Sequence, residues 1–170
     1  ELGLNGEYVL YPIPPDENGM DQLKALLSQM RTGEIHGLNV TIPHKQTVMP
    51  LLDELTPPAQ AIGAVNTIFL RDGRLVGDNT DAPGFWADVC EWLVGACPEH
   101  GRKGEWGVKP ALVLGAGGSA RAVVYALLTE AFHVTIAARR IEQARKISDQ
   151  FSVVSEQLAV CELKKSPFTI

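Results

Sequence analysis

The sequence predicts an α/β fold in two parts: an α/β domain, followed by the first portion of a Rossmann-like domain. Three observations predict it. Strand and helix signals alternate through the first half of the chain, residues 95–109 are rich in glycine and lack apolar periodicity, and a strand, glycine turn, helix and strand follow from residue 111. A glycine-rich stretch without periodicity is typical of a domain boundary. We therefore expect domains at residues 1–98 and 107–170.

The first two expected elements are a strand and a helix. Residues 7–13 favour a strand, which Pro14 and Pro15 end because their fixed φ cannot continue a paired ladder. Residues 20–30 carry apolar side chains at helical spacing, and Gly33 lies just beyond them.

The rest of the first domain should alternate between strands, turns and helices. We expect a strand at 35–41, a helix at 45–55 that ends before Pro57 and Pro58, strands at 64–70 and 74–76, a polar loop at 77–81, and a helix that Pro83 helps to begin and that ends near Gly95. Arg71, Asp72 and Gly73 have the chemistry of a hairpin turn.

The second domain is expected to begin as a βαβ unit. The pattern predicts strands at residues 111–114 and 134–137, a helix at 121–131 between them, and a further helix at 141–151. Strands joined by a helical crossover pair in parallel, with a right-handed connection. The sequence beyond residue 152 shows no clear pattern.

Composition places the chain among ordinary globular proteins. It has 170 residues, 45% hydrophobic and 21% charged, and a net charge of −5. The basic residues are scattered, so the sequence lacks the cluster of Lys and Arg that is typical of a nucleic-acid-binding protein. No apolar run approaches the length of about 18 residues expected of a membrane span, and three cysteines without CxxC spacing favour a reducing compartment. We expect a cytoplasmic protein that binds neither nucleic acid nor a membrane.

The glycine turn predicts a dinucleotide site because it matches G-x-G-x-x-A, with Ala120 in the last place. The first glycine permits a tight turn, the second lets the backbone approach a pyrophosphate, and the small third residue lets helix pack on strand. Amides at the helix N-terminus then face the phosphates. The residues expected to contact the cofactor here are Gly115, Ala116, Gly117, Gly118 and Ser119. The alternative is a glycine-rich turn in an α/β protein that binds no nucleotide.

Two arginines favour NADP over NAD. An NAD site usually places a carboxylate near the end of the second strand, whereas the 2′-phosphate of NADP needs positive charge there. Arg139 and Arg140 occupy that place, and the first carboxylate follows only at Glu142. A guanidinium is planar and can bind phosphate with two hydrogen bonds. The alternative is a solvated surface pair.

Three polar segments in the first domain suit a small polyhydroxylated substrate. Residues 39–45, 64–67 and 77–81 lie at or near the ends of predicted strands, where α/β sheets gather their ligands. They supply amides, hydroxyls, carboxylates and one lysine. Each segment has a structural alternative: Lys45 as an exposed lysine at a helix start, Asn66 as a residue that satisfies a strand end, and Asp81 as a helix cap. The histidines and cysteines show no metal-ligand spacing, so no metal is expected.

The segments Asn-Val-Thr-x-Pro-x-Lys at 39–45, Ala-Val-Asn-Thr at 64–67, Gly-Asp-Asn-Thr-Asp at 77–81 and Gly-Ala-Gly-Gly at 115–118 closely resemble, in order and spacing, the shikimate dehydrogenase family. The resemblance implies a substrate-binding α/β domain before a Rossmann-like domain, and reversible reduction of 3-dehydroshikimate to shikimate by NADPH, on the route to chorismate and the aromatic amino acids. We expect a monomer or homodimer acting on this small molecule.

The resemblance also implies roles for single residues. Lys45 matches the catalytic lysine of the family and Asp81 its partner aspartate. Positions that contact substrate hydroxyls are matched by Asn39, Thr41 and Asn66, together with Lys45 and Asp81, and Arg139 matches the arginine that binds the 2′-phosphate. The chemistry is consistent, because hydride arriving at a ketone carbon leaves charge on oxygen, which a cationic donor such as Lys45 can stabilise and protonate.

The chain also departs from the family pattern. The serine segment that grips the substrate carboxylate would lie before Glu1, and the later half of the cofactor domain would lie beyond Ile170. After the second strand, Ala138-Arg139-Arg140 stands where Asn-Arg-Thr is common. We therefore expect a fragment that is inactive by itself. The alternatives are a dehydrogenase that also accepts quinate, or a non-catalytic protein that keeps nucleotide or substrate contacts.

Overall fold

A computed structural model describes residues 6–96, 109–151 and 157–163 and confirms the predicted α/β fold. The elements are α1 (Glu17–Thr32), β1 (Gly37–Asn39), a 3₁₀ turn (Met49–Leu51), β2 (Glu54–Leu55), α2 (Pro57–Ile62), β3 (Thr67–Arg71), β4 (Arg74–Asp78), α3 (Asp81–Ala96), β5 (Lys109–Leu114), α4 (Gly118–Thr129), β6 (Phe132–Ala138), α5 (Ile141–Phe151) and β7 (Leu158–Glu162). Within these residues no helix is long and apolar enough to cross a membrane.

The strands form two sheets. The first has the order β1-β3-β4-β2, in which β2 and β4 are parallel and the other pairs antiparallel. The second has the order β5-β6-β7 and is parallel throughout, which confirms the predicted βαβ unit. The sequence analysis did not predict β7, although the first four of its five residues are apolar; none of the five is fully buried. The division into domains stays a prediction, because its boundary falls on residues 97–108, outside the described ranges.

Each sheet packs against its own helices. The first core lies between α1 and the first sheet and includes Met30, Val48 and Ile68, all fully buried. The second core lies between α4, α5 and the parallel sheet. A third, smaller cluster joins the two parts of the chain. It consists of Ile62 of α2, Ala64 just after α2, Ala82 of α3, and Ala122 and Ala126 of α4. Small side chains allow the helices to approach closely at this contact.

The predicted first helix is confirmed, although it begins three residues earlier than expected. Asp16 caps it by accepting a hydrogen bond from the backbone amide of Gly19 at 2.8 Å. Gly33 ends it in the left-handed region with φ of 82°, where glycine has no steric penalty. The terminal glycine therefore had the expected physical basis, whereas the Asp16 cap was not predicted from the sequence.

The strand predicted at residues 7–13 is wrong. Residues 6–14 have no regular structure, and Tyr8 and Leu10 are 81% and 82% exposed. No strand of the described residues pairs with this segment. Side chains that favour strands do not make one without a neighbouring strand to complete the hydrogen bonds.

The helix predicted at residues 45–55 is also wrong. The chain turns through residues 42–48, forms the 3₁₀ turn and then enters the short strand β2. Pro50 lacks the amide that a continuous helix would need. Pro57 and Pro58, expected to interrupt structure, instead begin α2 behind the cap residue Thr56.

The hairpin is confirmed with shifted boundaries. Asp72 and Gly73 have φ of 52° and 75°, as a two-residue turn between twisted strands requires. Strand β3 begins at Thr67 rather than 64, and β4 continues to Asp78, so the polar loop is shorter than expected. In the second part of the chain, α5 has the predicted bounds, and α4 begins at Gly118 rather than 121.

Candidate active site

The site centres on an ion pair between two residues that lie 36 positions apart in sequence. The Nζ atom of Lys45 lies 2.5 Å from Oδ2 of Asp81. Lys45 belongs to the turn after β1, and Asp81 is the first residue of α3. The side chains are 12% and 31% exposed, so the ammonium is largely enclosed while its carboxylate partner reaches the surface.

Backbone hydrogen bonds hold the turn that carries Lys45. The carbonyl oxygen of Lys45 accepts from the amide of Val65 at 2.7 Å. The next residue, Asn66, donates its own amide to the carbonyl oxygen of Asp78 at 3.0 Å and accepts from the amide of Val40 at 2.8 Å. The three polar segments singled out in the sequence are therefore connected to one another.

Asn66 connects the ion pair to the end of β4. Its Nδ2 donates to Oδ1 of Asp81 at 2.7 Å and to Oγ1 of Thr80 at 3.0 Å, while its Oδ1 accepts from the amide of Thr80 at 2.9 Å. The Asp81 carboxylate thus accepts a hydrogen bond from Lys45 on one oxygen and from Asn66 on the other. Both amide protons of Asn66 are used within the protein, so its contact with a substrate hydroxyl stays a prediction.

Asn39 and Thr41 lie in the segment that leads to Lys45, and both are exposed. Asn39 ends β1, where it pairs with Thr67 across the sheet. In the described part of the chain, no hydrogen bond joins either side chain to the ion pair. They are free to meet a ligand on this side of the turn, and their role in substrate binding stays a prediction.

Two neighbouring polar residues were not singled out as site residues. Thr80 bonds to Asn66 through both its amide and its hydroxyl, and Asn79 is buried beside them. Their place between Asp78 and Asp81 in a short polar segment was the available signal. Hydrogen-bond partners across the sheet cannot be derived from that spacing alone.

The glycine turn leaves room for an anion. Gly115 has φ of 105°, and its amide donates to the carbonyl oxygen of Ala137 at 2.8 Å. A Cβ atom added at Gly115 or Gly117 would meet no heavy atom within 4 Å. Helix α4 begins here without a side-chain cap, so its first amides are available to phosphate oxygens. Ala116 packs against the second core, and Ser119 is exposed.

The turn lies next to the ion pair. A Cβ atom added at Gly118 would lie 3.7 Å from Cδ of Lys45. The start of α4, which presents free amides, therefore adjoins the lysine that lies on the other part of the chain. A ligand held by those amides would extend toward the ammonium.

Arg139 and Arg140 follow β6 at the same edge of the sheet as the glycine turn, because β5 and β6 are parallel. Both side chains are exposed. Over residues 6–96, 109–151 and 157–163, neither guanidinium is paired with a carboxylate. Nor do these ranges contain three His, Cys, Asp or Glu side chains grouped as metal ligands.

Comparison with known proteins supports the resemblance in the sequence. The family model of the shikimate dehydrogenase substrate binding domain matches residues 1–68. The shikimate dehydrogenase (NADP(+)) of Oleidesulfovibrio alaskensis is 43% identical over 155 residues, which cover 89% of this chain and 49% of that protein. The chain thus spans about half the length of the curated relatives it matches.

Solved structures agree in fold. Shikimate 5-dehydrogenase from Thermus thermophilus, in complex with NADP(H) and shikimate, is 36% identical with a TM-score of 0.64, over 84% of this chain and 48% of that one. Quinate dehydrogenase from Corynebacterium glutamicum, in complex with NAD, is 32% identical with a TM-score of 0.67, over 82% and 48%. Since the four ordered motifs, the fold and these similarities agree, the chain belongs to the shikimate dehydrogenase family.

Proposed function

We propose that the protein is an NADP-dependent shikimate dehydrogenase, which reversibly reduces 3-dehydroshikimate to shikimate on the route to chorismate and the aromatic amino acids. The observation that carries this proposal is the Lys45–Asp81 ion pair beside the glycine turn. The relatives named for this activity, and the Thermus complex with NADP(H) and shikimate, support it.

In this proposal Lys45 handles the proton. NADPH, when bound, supplies hydride to the ketone carbon. The Lys45 ammonium stabilises the charge that develops on the ketone oxygen and donates a proton to it, and then regains a proton from solvent. Asp81 holds the Lys45 side chain in position through the ion pair. In the direction of shikimate oxidation, the neutral Lys45 amine accepts the proton from the hydroxyl.

Polar groups around the pair suit a ring that carries several hydroxyls. Asn39 and Thr41 offer an exposed amide and hydroxyl on the segment before Lys45. Asn66 would contact a substrate hydroxyl by exchanging its bond to Thr80 for a bond to the substrate. These residues, with Lys45 and Asp81, form the proposed substrate-binding set.

The residues present fit NADP(H). The amides at the start of α4 and the open space at Gly115 and Gly117 suit the pyrophosphate, with Ala116, Gly118 and Ser119 completing the contact. Arg139, with Arg140 beside it, would bind the 2′-phosphate of the adenosine. The protein would bind this cofactor and place its reactive end beside Lys45.

The test is an assay of the complete gene product for shikimate-dependent reduction of NADP⁺, with wild type and Lys45→Ala compared. We expect turnover in the wild type and a kcat lowered by about 10²–10⁴ in the variant, with KM within a few fold, because general acid–base catalysis is lost. Lys24→Ala removes an exposed lysine of α1 and serves as the control. Wild-type turnover in Lys45→Ala would contradict the role of Lys45, and binding without turnover in the wild type would favour a non-catalytic protein.

A second candidate is a dehydrogenase that also accepts quinate. The similarity to a quinate dehydrogenase whose structure was solved in complex with NAD supports this second candidate. The two substrates share the ring hydroxyls that the proposed set would contact, so the ion pair does not separate them. Comparing kcat/KM for shikimate and for quinate in the same assay decides between them.

The cellular compartment and the oligomeric state of the protein are proposed as well. We place it in the cytoplasm, acting on small molecules as a monomer or homodimer. Three cysteines, an odd number without CxxC spacing, support a reducing compartment. Gel filtration of the complete gene product measures the oligomeric state.

A further inference from the structure

Asn79 is the most deeply buried polar side chain of the described residues, with 1% of its surface exposed. Its Oδ1 accepts hydrogen bonds from the backbone amides of Asp81 and Ala82, at 3.1 and 3.4 Å. Its Nδ2 donates to the carbonyl oxygen of Ala64 at 2.9 Å. These bonds reach only main-chain atoms, so Asn79 acts on the site indirectly.

The acceptor end of Asn79 fixes the start of α3. The first amides of a helix have no partner within the helix, and asparagine is among the residues that best accept from them. Asp81 is the first residue of α3. The cap therefore holds the main chain from which the Asp81 carboxylate extends toward Lys45.

The donor end of Asn79 acts on the segment that holds Lys45. Ala64, which accepts from Nδ2, immediately precedes Val65, whose amide donates to the carbonyl oxygen of Lys45 at 2.7 Å. One neutral amide thus connects the backbone next to each member of the ion pair.

We propose that Asn79 is a positioning residue that acts through Asp81 and sets the geometry of the Lys45–Asp81 pair for proton transfer. The inference rests on the proposed function, in which Lys45 of that pair transfers the proton and Asp81 positions Lys45. The position needs a neutral group that both donates and accepts. An ionised aspartate would have no proton for the Ala64 carbonyl oxygen, and a serine would be too short to reach it.

Asn79→Asp tests the proposal because its new carboxyl group changes with pH. While protonated, it can accept from the amides and donate to Ala64 as asparagine does, and once ionised it can no longer donate. We expect its kcat, divided by that of wild type at the same pH, to be near one at acidic pH. The ratio should fall on the order of 10- to 100-fold as the new carboxyl group ionises, with KM for shikimate within about threefold. A ratio that stays near one at every pH in the folded variant overturns the proposal.

Asn79→Ser and Asp16→Ala form a matched pair. Asp16 caps α1 as Asn79 caps α3, by accepting from the amide of Gly19 at 2.8 Å, and it has no bond to the ion pair. We expect both variants to lose stability and only Asn79→Ser to lose kcat. An unchanged kcat in folded Asn79→Ser, or an equal loss in both variants, overturns the positioning role.

Acylation of lysines, followed by mass spectrometry, measures the ion pair without turnover. Lys24, more than half exposed, is the internal reference. In Asn79→Ser the rate at Lys45 relative to Lys24 should rise about threefold or more, because a loosened pair protects the amine less, and Asp16→Ala should leave it unchanged. An unchanged rate in folded Asn79→Ser overturns the proposal. A faster rate in a protein that fails to oxidise shikimate supports the positioning of the pair and rejects the proposed function alone.

Discussion

A single guanidinium can decide which nicotinamide dinucleotide an enzyme accepts, because the two dinucleotides differ by one phosphate. Arg139 lies just beyond β6, exposed and at the edge of the sheet where the glycine turn also lies. Arg145, four residues into the following helix, instead pairs with Glu142 at 2.8 Å. The local structure therefore leaves Arg139 available to an external anion while Arg145 is already neutralised.

Arg139→Ala should lower kcat/KM for NADP⁺ by about tenfold or more and change that for NAD⁺ little, because charge-assisted hydrogen bonds to the 2′-phosphate are lost. The measurement is the ratio of the two kcat/KM values in the complete gene product. Arg145→Ala is the matched control and should leave the ratio as in wild type. An unchanged ratio in Arg139→Ala would assign phosphate binding to other residues.

At the residue scale, the sequence indicated which side chains meet but not how they are oriented. Lys45, Asn66 and Asp81 were grouped because their segments lie at or near the ends of predicted strands and match family motifs, and the structure brings them within hydrogen-bonding distance. The buried role of Asn79 was not accessible in this way, because its partners lie on Ala64 and on the start of α3. Such contacts depend on how two segments cross, which spacing does not encode.

At the element scale, the prediction of the first helix succeeded because apolar spacing and a terminal glycine agreed. Helix α1 has a cap residue, apolar spacing and a terminal glycine, and it formed as expected. The segment 45–55 has apolar residues at helical spacing but contains Pro50. Asp53 within it forms hydrogen bonds with the backbone of Leu75 in β4. Tertiary contacts there outweigh local propensity, as they commonly do for short segments.

Asp53 connects three elements. Its Oδ2 accepts from the amide of Leu75 in β4 at 2.7 Å, and its Oδ1 accepts from Arg31 at the end of α1 at 2.9 Å. The hydrogen bond from Arg31, and then that from the Leu75 amide, hold the pKa of the Asp53 carboxyl below its usual value. A lowered pKa in the folded state means that the ionised carboxyl stabilises the fold above the pKa of the unfolded chain. The contribution disappears as pH falls through the folded value.

Asp53→Asn should therefore lower the free energy of unfolding near neutral pH, and the difference from wild type should shrink as pH falls below about 4. Urea unfolding of the purified protein across this pH range measures the difference. Asp21→Asn breaks an exposed pair with Lys24 within one helix and should have little effect at either pH. A difference that does not change with pH would show that the Asp53 charge is not the stabilising feature.

At the scale of the whole molecule, the two parts of the chain meet where α2 and α4 come together. Gln150 of α5 spans this contact: its Nε2 donates to the carbonyl oxygen of Ala61 at 2.6 Å, and its Oε1 accepts from Arg121. A Cβ atom at Gly63, where φ is 67°, would lie 2.9 Å from Nε2, so glycine leaves room for the amide. Burial lowers the pKa of the Arg121 guanidinium, which is consistent with its enclosure at this contact.

This contact matters for the site because Ala61 lies shortly before Val65 and Asn66, which hold Lys45 and Asp81. The proposed cofactor turn and the proposed substrate residues lie on opposite sides of it. Apolar residues fill the centre of this contact, and Gln150 bridges its edge by a hydrogen bond to the carbonyl oxygen of Ala61. The relative placement of glycine turn and ion pair should therefore depend on this amide.

Gln150→Ala should lower the free energy of unfolding by about 1–3 kcal/mol, because the last carbonyls of α2 lose a donor and a half-buried guanidinium loses an acceptor. Amide hydrogen exchange should accelerate in a peptide that covers residues 57–66. Lys146→Ala, an exposed change on the same helix, should leave both quantities close to wild type. If residues 57–66 exchange at the wild-type rate in Gln150→Ala, the hydrogen bonds of Gln150 contribute nothing to the contact. The third hydrophobic cluster alone then holds the two parts together.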